Sequence, residues 1–173
     1  MTAAVLTVSF LLGGLVVVFL FLFPLGRGAV YAASTPEKVR LIAEMSGARA
    51  GERAADLGSG DGRIVIALAR RGAEAHGFEV NPLLVMRSRR TIRREGLGRQ
   101  AMIHWRSFWG ADLSRFDVIT LFQGSFIMRR LEAKVRREMP AGARVVSDFW
   151  AFPTLAPERR IGTVYRYRLG GRS

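Results

Sequence analysis

The apolar residues change their spacing twice along the chain. Residues 3–25 carry no charged side chain, and a helix of that length rises about 34 Å, enough for a hydrocarbon layer of ~30 Å. This predicts one transmembrane helix over residues 1–26, a linker over 27–34 and a single domain over 35–173. A cleaved leader fits less well, because no basic residue precedes the run and the run exceeds an ordinary leader core. Arg27, Lys38 and Arg40 lie on its C-terminal side, which by the cation bias puts the domain on the cytoplasmic or an equivalent face of the membrane.

Beyond the run, short apolar stretches alternate with helical spacings. Thr35 followed by Pro36 reads as an N-cap and first helical residue, with Gly47 as the stop. "ERAADLG" reads as a strand entering a tight turn, and Ile64, Ala67 and Leu68 give the helix after it. "EAHGFEV" is a second strand, Asn81-Pro82 opens a basic helix to about Glu95, and "QAMIHWRSF" and "RFDVITLF" are the third and fourth strands. Ile127, Leu131, Val135 and Met139 mark a helix with one buried face. "ARVVSDF" and "TVYRYRL" complete six predicted strands. Alternation with short connections predicts an α/β fold with a doubly wound, mostly parallel sheet.

Composition narrows the chemistry. The chain has no cysteine and two histidines, which excludes thiolate nucleophiles, disulfides and thiolate metal sites, so no metal is expected. His76 and His104 fall inside predicted strands and read as sheet residues. The net charge of +13 favours phosphate-bearing partners, either an anionic membrane surface or nucleic acid. Of the 27 basic residues only Lys38 and Lys134 are lysines.

The sharpest local feature is "DLGSGDG", with Gly58, Gly60 and Gly62 at alternate positions and Asp56, Ser59 and Asp61 among them. In a doubly wound sheet the first strand-to-helix turn borders the ligand crevice, and glycine lets the backbone approach what binds there. A dinucleotide turn reads G-x-G-x-x-G and seats a pyrophosphate. Here the third glycine comes one residue early and Asp61 stands where a phosphate would be repelled. Two acids around the turn suit a cationic ligand, and S-adenosyl-L-methionine carries both an ammonium and a sulfonium. Glu79, ending the second strand 21 residues after Gly58, is placed to accept from ribose hydroxyls.

"DLGSGDGRIV" with "GFEVNPLLV" resembles the class I, seven-strand methyltransferases. The resemblance is closest to the membrane-anchored protein lysine methyltransferases of the adenine nucleotide translocase and ATP synthase c-subunit type, with their prokaryotic relatives. It implies a Rossmann-like methyltransferase sheet preceded by one transmembrane helix. It also implies that Asp56, Gly58, Ser59, Gly60, Asp61 and Gly62 surround the methionine part of the cofactor, that Glu79 holds the ribose, and that Asn81 borders the pocket. Ser107 stands where many members place an acid for the adenine amine, so the adenine is expected against Ser107 and Phe108 or Trp109.

The implied function is N-methylation of lysine in a membrane protein. Gln123, Ser125 and Asp148, at predicted strand ends, are the candidates for orienting the acceptor amine, and Trp150 is placed to line a lysine channel. A lipid headgroup or small molecule as acceptor is left open by the residues, as is a non-catalytic membrane-binding module. A nucleic-acid acceptor is disfavoured: "FQGSF" follows the fourth strand where amino-methylating base enzymes carry Asn or Asp before Pro-Pro and an aromatic.

Overall fold

A computed structural model describes residues 34–170 together with Gly14. Helix α1 (Pro36–Ser46) opens on Thr35, whose hydroxyl accepts from the Lys38 amide, and closes on Gly47 at φ 60°. Strand β1 (Arg53–Leu57), helix α2 (Arg63–Arg70), strand β2 (Glu74–Glu79), helix α3 (Pro82–Arg94) and strand β3 (Ala101–Trp105) follow. The chain continues through two short 3-10 turns to strand β4 (Val118–Leu121), helix α4 (Ser125–Glu138) and strand β5 (Arg144–Asp148). The β6 (Arg159–Ile161) and β7 (Val164–Arg168) hairpin completes the described chain.

All seven strands form one sheet in the order β3-β2-β1-β4-β5-β7-β6, with β1 to β5 parallel and β7 antiparallel to β5. Alternate strand residues feed two cores. Ala54, Val118 and Val146 pack beneath α1, α2 and α3 through Ile42, Val65 and Val85. Ala55, Ile119 and Val145 pack on the other face against Met128, Leu131 and Val135 of α4. At about 25 cal/mol per Å² of apolar area removed from water, these two layers are the main favourable term for the sheet. The reversal of strand order between β1 and β4 opens a crevice at their C-terminal ends, where the glycine turn lies.

Two expectations change. Strand β6 was not foreseen, because three exposed residues on a sheet edge carry no apolar alternation. The single membrane span is corrected as well: no helix among the described residues is long and apolar enough to cross a membrane. The longest of them, α4, has 14 residues, rising only about 21 Å, and is crossed by arginines. The segment over residues 3–25 lies outside the described residues apart from Gly14. The single-pass localisation, with the domain on a cytoplasmic or equivalent face, rested on that span and falls with it.

Candidate active site

The crevice is built from the ends of β2, β1, β4 and β5. Leaving β1, the chain turns through Gly58, Gly60 and Gly62 at φ 85°, 53° and 82°, a left-handed region that a β-carbon disfavours. The turn is pinned to β2, for the Gly58 and Ser59 amides both donate to the Phe78 carbonyl, at 2.9 and 3.0 Å. A side chain on Gly58 would run into the Gln123 amide, and a β-carbon on Gly62 would stand 2.7 Å from that of Ser88. The turn therefore admits backbone alone, between α3 and the exit of β4.

Register brings the acids to one face. Asp56 pairs with Gly77 and with Thr120 across the sheet, and Thr120 pairs with Val146. Asp56 and Thr120 therefore share a face with Glu79 and Asp148, each one pleat further along its strand. Asp56 is buried and accepts a 2.8 Å hydrogen bond from the Thr120 hydroxyl. Burial pushes its pKa up from 3.8 to about 7 against the pull of that hydrogen bond, and the negative charges of Glu79 and Asp61 add to the rise.

Glu79 is also buried, and both its oxygens are engaged by backbone. Oε2 accepts from the Gly60 amide at 2.9 Å, and Oε1 accepts from the Val80 and Asn81 amides at 2.8 and 2.7 Å. The carboxylate thus joins the glycine turn to the end of β2. Asn81 uses its side-chain oxygen to cap α3, accepting from the Leu83 and Leu84 amides.

Asp61 faces a cation of the chain itself. Arg63 clasps it at 2.9 and 2.5 Å and donates also to the Ser34 carbonyl. Burial pushes the Asp61 pKa up, but the Arg63 hydrogen bonds and charge, with Arg87 beyond, hold it below the usual carboxylate value. The acid in the turn thereby braces the loop against the start of α1.

Across the crevice, Gln123 is buried at the exit of β4 and donates to the Leu57 carbonyl at 2.6 Å. Its carbonyl oxygen Oε1 and the Ser59 hydroxyl are buried without a hydrogen-bond partner, a state that costs about 1–3 kcal/mol each until a ligand or water supplies one. Asp148 is buried at the end of β5, accepting from Thr163 and paired with Lys38. Ser125 is exposed in the first turn of α4. Ser107 caps a 3-10 turn, whereas Phe108 lies in the core on the α4 side and Trp109 has Arg130 over its ring at 4.3 Å.

Thr120, Thr163, Lys38 and Arg63 were missed from the sequence. Thr120 and Arg63 left a trace there: a hydroxyl inside an otherwise apolar strand, and an arginine two residues after an acid. One arginine of the basic helix is structural. Arg89 donates twice to the Ile103 carbonyl, leaving Arg90, Arg93 and Arg94 exposed along α3. Lys134 is buried, donating to the Ala111 carbonyl and Glu138. His76 and His104 are stacked within the sheet, as sheet residues should be.

The family model described as the ANTKMT methyltransferase domain matches residues 56–159, from the first acid of the crevice to the start of β6. The chain belongs to this methyltransferase family. It is 36% identical over 144 residues to a lysine N-methyltransferase of the ATP synthase c subunit from Xenopus laevis, covering 81% of this chain and 63% of that protein. A protein-lysine N-methyltransferase of Saccharolobus islandicus is 31% identical over 147 residues, 79% of this chain and 91% of that protein. The chain thus spans about three fifths of the animal relatives. An RNA methyltransferase from Salinibacter ruber, solved in complex with S-adenosyl-L-homocysteine, superposes with a TM-score of 0.79 at 28% identity, covering 82% of this chain and 96% of that one. The family match begins at Asp56 and runs through Glu79, Gln123 and Asp148.

Proposed function

We propose that the chain is an S-adenosyl-L-methionine-dependent methyltransferase that N-methylates lysine, with a membrane protein as its target. The observation that carries this reading is the cluster of buried acids, Asp56, Glu79 and Asp148, on one face of the crevice beside a backbone-only glycine turn. A cation between them offsets the burial, and the lesser repulsion from Glu79 and Asp61, that raise Asp56, and its donors meet the unpartnered Gln123 carbonyl. The residues fit that cofactor better than a dinucleotide, whose diphosphate these carboxylates would repel. The animal relatives methylate, by name, the ATP synthase c subunit and adenine nucleotide translocase, which supports lysine of a membrane protein as the acceptor.

When bound, the cofactor supplies an activated methyl group on sulfur. The chain's own residues bind and align. Asp56, Gly58, Ser59, Gly60 and Gln123 hold the amino-acid end, Glu79 the ribose, and Ser107 and Asn81 border the adenine side. Asp61, through Arg63, keeps the turn in shape. Asp148 receives the acceptor amine, whose proton must leave before transfer; desolvation near a positive charge lowers the pKa of an ammonium from about 10.4. Holding nucleophile and methyl group in line then accounts for most of the rate. Exposed Arg90, Arg93 and Arg94 suit phosphate headgroups around a target held in a bilayer.

Calorimetric titration of the chain with S-adenosyl-L-methionine tests the cofactor, and the reading fails if the folded protein does not bind it. Labelled cofactor with native membranes and total RNA tests the acceptor. Label is expected in protein as methyl-lysine; label confined to lipid or RNA would overturn the lysine assignment. Glu79→Ala leaves three backbone amides without their acceptor, so it is expected to weaken cofactor binding at least tenfold. Wild-type affinity in that variant would remove the Glu79 role.

A further inference from the structure

Asp148 lies on the same face as Asp56, two strands away and hence about 10 Å across the sheet. It differs from the other two acids in having an ammonium as partner. Lys38 Nζ, from the first turn of α1, lies 3.2 Å from Asp148 Oδ1 and donates to Thr163 Oγ1 at 3.0 Å. Thr163 donates in turn to Asp148 at 2.9 Å. The acid is on the inside and the cation on the outside: the Asp148 side chain is 3% exposed and that of Lys38 33%. The pair is entered from solvent through Lys38.

The next residue is unusual as well. Phe149, at φ 72°, is the one non-glycine residue with positive φ among the described residues, a backbone state costing on the order of 1–3 kcal/mol. The turn is held by the Phe149 amide donating to the Thr163 carbonyl and the Ser147 hydroxyl donating to the Trp150 carbonyl. It places two rings at the surface beside the acid, 52% and 41% exposed, edge to face at 5.2 Å. Packing does not require this strain, since both rings face outward. Two part-exposed rings directly following a buried carboxylate in the chain suit a lysine side chain, with methylenes against rings and an ammonium at the acid.

We infer that Asp148 and Thr163 floor the acceptor channel, that Phe149 and Trp150 form its lip, and that Lys38 is a resident ammonium which the incoming lysine must displace. The inference rests on the lysine methyltransferase reading and adds to it an internal competitor for the acceptor. Exchange of one ammonium for another keeps the buried acid neutralised while the acceptor enters, whereas an unpaired Asp148 would be strongly disfavoured. Lys38 therefore both closes the channel in the free protein and sets a threshold for acceptor binding.

The probe is n-butylamine, the lysine side chain without its backbone, supplied with S-adenosyl-L-methionine. Transfer breaks the methyl–sulfur bond, forms a carbon–nitrogen bond, leaves the electron pair on sulfur and releases one proton from nitrogen. N-Methylbutylamine is quantified by mass spectrometry, and S-adenosyl-L-homocysteine affinity by calorimetry. Lys38→Ala should lower KM for the amine at least tenfold. Lys38→Arg, which keeps the ion pair but grips Asp148 with a fork of donors, should raise KM several-fold, and the affinity for S-adenosyl-L-homocysteine should stay within twofold in both. A structural ion pair alone predicts unchanged KM in the arginine variant, and that result overturns the inference. If the alanine variant loses S-adenosyl-L-homocysteine binding through misfolding, the arginine variant decides. If the wild-type chain binds cofactor but methylates neither amine nor protein lysine, the lysine reading falls and this inference with it; unchanged KM in an active enzyme removes the inference alone.

Discussion

Replacing Asp56 by asparagine should make the empty protein more stable at alkaline pH while damaging its ligand site. The carboxyl is buried, and its pKa stands at about 7 instead of 3.8. Its folded-state value is thus raised above the unfolded one. The favourable contribution of the protonated acid is fully present below pH 4 and is lost as pH rises through about 7. Each tenfold change in proton affinity is worth about 1.4 kcal/mol, so the ionised carboxylate costs the apo protein about 4 kcal/mol at pH 8 relative to pH 4. Asparagine can keep the hydrogen bond from Thr120 and carries no charge to desolvate. Urea unfolding at pH 8 should show Asp56→Asn more stable by about 2–4 kcal/mol, with the gap narrowing below pH 7 and closing near pH 4. Cofactor affinity should run the other way: in the wild type it rises between pH 6 and 7.5 as Asp56 ionises beside the bound cation, and in the variant it is lower and flat. Equal or lower stability of the variant at pH 8 would refute the claim that burial governs this carboxyl.

Two further predictions concern the frame of the site. Gly62→Ala puts a β-carbon 2.7 Å from that of Ser88 at φ 82°, and should cost at least 2 kcal/mol in urea unfolding together with a loss of cofactor affinity; a silent substitution would mean that the turn is not constrained by α3. His76 and His104 are linked ring to ring at 2.9 Å, and burial lowers both pKa values, with the positive charges of neighbours adding to the effect at His104. Their folded-state values are depressed, so their contribution is present above about pH 6.5 and lost as pH falls below it. The urea midpoint should drop between pH 7 and 5.5, and less so in a His76→Gln variant.

The alternation of strands and helices, the glycine turn and the acids at strand ends were legible because each is written in consecutive residues. Gly58, Gly60 and Gly62 all adopt the positive φ that their spacing implied. What was not legible depends on register. Thr120 meets Asp56 only because β1 and β4 align as they do, and Lys38 meets Asp148 across 110 residues of chain. Asp61 was read as facing a ligand cation, yet it is clasped by an arginine two residues on, a pairing that spacing permits but does not dictate. Phe108 was expected near the adenine and packs into the α4-side core, since periodicity does not say which face of a loop a ring will choose.

The two lysines of the chain are both held in ion pairs, Lys134 sealed beneath the sheet and Lys38 at the crevice. A catalyst that searches for primary amines in a crowd meets its own kind most often, at a local concentration no partner can match. Arginine throughout the rest of the surface keeps the attraction for negative partners while offering no further primary amine to methylate.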